Sequence, residues 1–113
     1  WIFDRKKAQV LFALQEGKEV GIALYFYNFS TFLGRAGIYL EDLFVLPEYR
    51  GKGYGKGLLK KLAAIAVEEG CGRLEWSCLN PSIDFYLAMG AVPMKEWTVY
   101  RLTGETLRRA AEE

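Results

Sequence analysis

The stretch Leu46-Pro47-Glu48-Tyr49-Arg50-Gly51-Lys52-Gly53-Tyr54-Gly55-Lys56-Gly57 restricts the fold more than any other part of the chain. Its glycines alternate with basic and aromatic residues, and Leu58-Leu59-Lys60-Lys61-Leu62 follows with the spacing of an amphipathic helix. Glycine lets the backbone turn sharply and come close to a ligand. The first N–H groups of a helix have no partner within it and carry partial positive charge. A glycine-rich turn running into a helix start is therefore suited to hold phosphate. The charges agree with that use. Lys56, Lys60 and Lys61 crowd the helix start, and Glu68 and Glu69 sit at its end. Both placements oppose the macrodipole, which favours acids first and bases last. A bound anion would remove half of that conflict. The competing reading is a flexible turn with solvated lysines.

Composition narrows the field. A chain of 113 residues reads as a single domain over 1–113. A hydrophobic fraction of 51% argues against disorder. The formal net charge of +1 does not suit a nucleic-acid partner. No apolar run approaches the ~20 residues of a membrane span, and no secretory leader pattern is present. Cys71 and Cys78 lack metal or redox spacing and read as reduced packing thiols, so a cytoplasmic location is expected. There is no histidine, which excludes His-based triads and His-ligated metal sites within these residues. Acid–base work falls to carboxylates, Tyr, Lys or Cys, and no metal is expected.

Periodicity places the elements. Residues 8–14 and 20–29 read as strands of a hairpin around a turn at 15–19, with a loop over 28–37. A third strand is expected over 38–45, a helix over 58–69 stopped by Gly70, and a fourth strand over 73–79. The fourth strand runs parallel to the third if the helix is a right-handed crossover. A helix over 82–89 capped by Gly90, a strand over 97–102 and a short helix over 106–111 complete the chain. The fold class is α/β, with a mixed sheet that begins antiparallel and ends in a parallel crossover.

Spacing separates the possible phosphate loops. A P-loop needs Lys after the last glycine, and Leu58 follows Gly57. The dinucleotide fingerprint needs a third glycine where Lys56 or Leu58 stands. Arg/Gln-x-x-Gly-x-Gly/Ala does fit, as Arg50, Gly53 and Gly55, after the lead-in Val45, Pro47. That pattern resembles the acetyl-coenzyme A motif of the GNAT (Gcn5-related N-acetyltransferase) superfamily. Pro81-Ser82-Ile83-Asp84-Phe85-Tyr86-Leu87-Ala88-Met89-Gly90-Ala91 resembles the family's late helix. Residues 39–45 and 96–102 are similar to the diamine (spermidine/spermine) and thialysine acetyltransferase branch.

The resemblance implies a GNAT-like sheet with helices on both faces, acetyl-CoA as co-substrate, and direct attack by a primary amine of a small cationic acceptor within a ternary complex. Gly51, Lys52, Gly53, Tyr54, Gly55 and Lys56 would take the pyrophosphate through backbone N–H groups from Gly51 to Gly57, with Arg50 beside it. Phe44 and Val45 would offer backbone groups to the pantetheine amides, and Asn80 matches a pantetheine-contacting Asn. An alkyl amine has a pKa near ~10 and must lose a proton to react. Glu41 is the candidate base. Period-two alternation aligns it with Tyr39 and Leu43, and its apolar neighbours suggest partial desolvation; the alternative is a solvated strand acid. Asp42, on the opposite face, has two uses open to it: holding the loop or attracting a cationic acceptor. Adjacent acids in an apolar strand are costly to bury unless paired. Tyr86 is the candidate general acid for the departing thiolate, against a packing role beside Phe85. The aromatic cluster Tyr25, Phe26, Tyr27, Phe29 and Phe32 reads as core plus the surface of a homodimer. Two departures stand out. The family's opening strand and two helices are absent, so the domain reads as N-terminally incomplete, and the Leu79-Asn80-Pro81 connection is short. A non-catalytic acyl-CoA-binding protein and a protein N-terminal or lysine acetyltransferase are the rival functions.

Overall fold

The computed structural model describes residues 2, 5–31, 33–78 and 83–112. The elements are β1 (Gln9–Gln15), β2 (Lys18–Ser30), β3 (Arg35–Val45), a 3-10 turn at Pro47–Tyr49, α1 (Tyr54–Glu68), β4 (Leu74–Trp76), α2 (Ile83–Ala88) and α3 (Gly104–Glu112). They fall into two compact units, Trp1–Cys78 and Leu79–Glu113.

In the first unit the strands lie in the order β1-β2-β3-β4. The first three pair antiparallel, and β4 pairs parallel to β3, as the sequence pattern requires. The β1–β2 hairpin closes through Glu16 and Gly17, at φ of 51° and 80°. Two positive φ values in a two-residue turn match the right-handed twist of the flanking strands. The expected loop over 28–37 shrinks to 31–34. β2 continues to Ser30, β3 begins at Arg35, and Asn28 pairs with Gly37. The tip closes on itself: the Leu33 N–H donates to Ser30 Oγ at 3.1 Å and the Gly34 N–H to the Ser30 carbonyl at 2.8 Å.

The core lies between α1 and one sheet face. Val20, Ala23, Tyr25, Ile38 and Leu40 are buried there, with Leu58, Leu59, Leu62 and Ala66 of α1. The helical residues recur at the spacing of one apolar stripe. Burying each leucine contributes about 1.5–3 kcal/mol. α1 begins at Tyr54, not at residue 58. Gly55 and Gly57 have low helix propensity, so the apolar pattern becomes visible only a turn after the helix has begun. The other end stops at Gly70, φ 73°. The Gly70 N–H reaches the Val67 carbonyl at 3.2 Å and the Cys71 N–H the Ala66 carbonyl at 2.9 Å, which is a Schellman closure.

β4 covers only 74–76 of the expected 73–79; residues 77 and 78 are irregular and residue 79 lies outside the described residues. In the second unit, α2 spans Ile83–Ala88 and closes as α1 does: the Gly90 N–H bonds the Leu87 carbonyl and the Ala91 N–H the Tyr86 carbonyl, at 3.0 and 3.1 Å. α3 is longer than expected and carries an exposed Arg108–Glu105 pair at 3.0 Å. The expected strand over 97–102 is irregular, with Trp97, Val99 and Tyr100 exposed. Strand propensity acts only against a partner edge, and no described residue of this unit is in a strand.

Candidate functional site

The start of α1 carries no side-chain cap. Gly53 is its N-cap at φ 89°, ψ 5°, and its first turn holds no acid. That left-handed conformation is strained for any residue with a Cβ. The Gly57 N–H is already bonded to the Gly53 carbonyl at 2.9 Å, so it leaves the expected set of phosphate donors. The helix geometry leaves the N–H groups of Tyr54, Gly55 and Lys56 without intrahelical acceptors. A Cβ added at Gly53 would meet nothing within 4 Å, and one at Gly55 only Val45 Cγ2 at 3.9 Å. Packing within the protein therefore does not demand glycine at Gly55. The same openness lets a phosphate approach the backbone, so the residues present fit a diphosphate.

Aromatic rings and cations rim this mouth. Tyr49 and Tyr54 meet edge-to-face at 6.2 Å. Lys18 Nζ lies 5.5 Å and Lys52 Nζ 5.4 Å from the Tyr49 ring centre. Arg50 makes its own contacts at the end of β3. Its Nε donates to the Val45 carbonyl at 2.9 Å and its guanidinium sits 5.3 Å from the Phe44 ring. The side chain lies against the end of β3.

β3 changes character at Glu41. Leu24 pairs with Asp42 and Tyr25 with Leu40, so Glu41 is an extra residue, a β-bulge. The bulge reverses the alternation. Ile38 and Leu40 face α1 before it; Leu43 and Val45, opposite Ala23 and Gly21, do so after it. Glu41 therefore does not share a simple period-two face with Leu43, and both Glu41 and Asp42 are exposed, not desolvated. Bulges commonly re-aim side chains beside active sites. The β4 ladder ends at the same place, with Leu40 opposite Trp76. Beyond it, β3 has an edge unpaired by β4. The Leu46 N–H bonds the Val20 carbonyl on the β2 side, so by alternation the peptide groups of Val45 and Leu43 face the open edge. The Arg50 bond to Val45 confirms that side. Phe44's own peptide faces β2, where its carbonyl approaches Gly21. On the open edge it is therefore the Leu43 peptide, not that of Phe44, that accompanies Val45.

Tyr86 lies on α2, half-buried, with its ring 5.2 Å from Phe85. Asn80 lies outside the described residues, as does Phe32. Of the aromatic cluster, Tyr25 is buried core, its hydroxyl donating to Gln9 Oε1 at 3.2 Å, while Phe29 is 63% exposed. The Tyr27 hydroxyl donates to Glu69 at the end of α1 at 2.5 Å, and that bond raises the phenol's pKa well above its usual range. Among the described residues no group of acids and cysteines could hold a metal, and no helix is long and apolar enough to cross a membrane.

Comparison with known proteins accounts for this arrangement. The family described as Acetyltransferase (GNAT) matches residues 1–91. The chain belongs to the GNAT acetyltransferase family. This GNAT chain is 42% identical over 98 residues to the thialysine N-epsilon-acetyltransferase of Bos taurus, an alignment covering 81% of the chain and 57% of that protein. It is 45% identical over 91 residues to the L-ornithine N5-acetyltransferase of Arabidopsis thaliana, covering 78% of the chain and 40% of that protein. The chain thus spans about half the length of such relatives. Among solved structures, an integron cassette protein from the mobile metagenome of V. cholerae superposes with a TM-score of 0.89 at 33% identity, over 99% of this chain and 72% of that one. The mixed GNAT sheet expected from the sequence is the one observed.

Proposed function

We propose that this chain is an acetyl-CoA-dependent N-acetyltransferase that acetylates a primary amine of a small cationic acceptor, a polyamine, a diamine or a thialysine-like molecule. The observation that carries the reading is the uncapped start of α1, open around its glycines and lined by the N–H groups of Tyr54, Gly55 and Lys56. Relatives named for acetylation of thialysine and ornithine support an amine acceptor.

Bound acetyl-CoA would supply a thioester carbonyl open to attack by an amine. The chain's residues divide the remaining work. The helix start holds the diphosphate, and the Leu43 and Val45 peptide groups meet the pantetheine amides as an added strand would. Arg50 leaves the Val45 carbonyl to make room for that contact. Asp42, exposed beside the bulge, attracts the acceptor's positive charge without the cost of burying an unpaired acid. Glu41, reached through water, takes the ammonium proton. A C–N bond forms, the C–S bond breaks, and Tyr86 donates its phenolic proton to the departing thiolate. Asn80 belongs with the pantetheine contacts. The protein works in the cytoplasm as a homodimer, an arrangement that would cover exposed apolar side chains such as Phe29.

A thiol-release assay tests this with acetyl-CoA and a panel of spermidine, thialysine, ornithine, lysine and an N-terminal peptide, with calorimetric binding of coenzyme A in parallel. Turnover on one small amine is expected. Tight coenzyme A binding with no turnover on any amine would mark a non-catalytic acyl-CoA-binding protein, and turnover on the peptide alone a protein acetyltransferase. Tyr86→Phe should cut turnover about 100-fold and leave coenzyme A affinity in place; full activity in that variant would remove Tyr86 from the acid role.

A further inference from the structure

We propose that Lys18 and Lys52, gathered around Tyr49, form a second anion subsite that reads the phosphate on the adenosine ribose of acetyl-CoA; this rests on the acetyl-CoA reading of the α1 start. The two ammonium groups come from different elements. Lys18 opens β2 just after the tight Glu16–Gly17 turn, and Lys52 lies in the glycine loop. Both come within 5.5 Å of one ring centre, so the hairpin is brought against the loop at this point. Two cations share one neutral ring, whose quadrupole attracts both without neutralising either. A doubly charged phosphate would supply the missing counter-charge. The Tyr49 ring in turn touches Tyr54, whose own N–H belongs to the diphosphate cradle. The subsite therefore lies one aromatic ring from the cradle. Coenzyme A carries its third phosphate on the ribose next to its diphosphate, so both sites can be filled by one molecule.

The glycine motif contains Lys52 but says nothing of Lys18, which is distant from it in sequence. The subsite makes a specific demand on the cofactor: the chain should prefer coenzyme A to dephospho-coenzyme A, which keeps the diphosphate and lacks the ribose phosphate. Exposed ion pairs are individually weak, and two of them acting on one dianion give a preference of about tenfold. That preference should shrink with added salt.

Calorimetric titration of the whole protein with each nucleotide measures the ratio of the two dissociation constants. The ratio should be about ten in the unaltered protein, about three in Lys18→Met, and close to one in the double variant Lys18→Met/Lys52→Met. A ratio near one in the unaltered protein, or one that neither lysine changes, overturns the subsite while leaving the diphosphate cradle intact. Failure of both nucleotides to bind overturns the acetyl-CoA reading and the subsite with it. If the lysines only brace Tyr49, thermal stability moves and the ratio does not, which also overturns it.

Discussion

The two ends of α1 follow opposite rules. Its C-terminus is tied down: Gly70 takes the left-handed conformation, the Schellman bonds satisfy the last carbonyls, and Tyr27 reaches across from β2 to Glu69. Its N-terminus has a left-handed Gly53 but no capping side chain and no acid in the first turn, with open space around its glycines. An N-terminal side-chain cap is worth about 1 kcal/mol, and the chain forgoes it here. That asymmetry separates a helix end serving stability from one left free for a ligand.

The largest effect should come at the open end. Gly53→Val places a branched side chain where φ is 89° and fills the mouth. Coenzyme A affinity should fall about 100-fold or more, with about 1–2 kcal/mol of stability lost to strain. Gly55→Val, at an ordinary helical φ, separates the two effects: it should lose affinity with little loss of stability. Retained affinity in both would mean that the loop is not the cradle.

At the closed end the pattern should invert. Gly70→Ala should cost about 1 kcal/mol in chemical denaturation, because φ is 73°, and leave coenzyme A affinity unchanged. Gly57→Ala sharpens the boundary between the two ends. Its N–H is already bonded within the helix, and an added Cβ meets nothing within 4 Å. Replacement should stabilise the protein by about 0.5–1 kcal/mol without loss of affinity. A large affinity loss there would extend the cradle a residue further than the hydrogen bonding allows.

Tyr27→Phe should have the smallest effect, about 0.5–1 kcal/mol near neutral pH for a partly exposed hydrogen bond. Its pH dependence identifies it. The bond to Glu69 raises the phenol's pKa above the ordinary 10.0, so the contribution is complete below that value and declines as pH rises beyond it. The stability gap between the two proteins should be constant up to about pH 10 and narrow above. A gap that grows with pH would contradict the assignment.

Much of this was legible in the sequence because it rests on local chemistry. The glycine loop, the stop at Gly70, the hairpin and the parallel crossover follow from turn residues and apolar spacing. The setting of Glu41 is not legible: alternation does not register a single inserted residue, and only pairing with β2 reveals the bulge. Nor does the sequence show which peptide groups face the open edge; Phe44's faces β2, and Leu43's faces outward. The stretch 97–102 has the composition of a strand, yet the backbone has no described strand within its own unit to pair with. Lys18 left no local signal, since its neighbours at the loop come from tertiary packing alone.

Backbone amide resonances followed during titration with acetyl-CoA test the two-ended description most directly. The amides of Tyr54, Gly55 and Lys56 should move strongly and saturate together, while those of Glu69, Gly70 and Cys71 stay in place. Saturable binding that shifts the closed end, or leaves the three amides at the helix start unmoved, would contradict it.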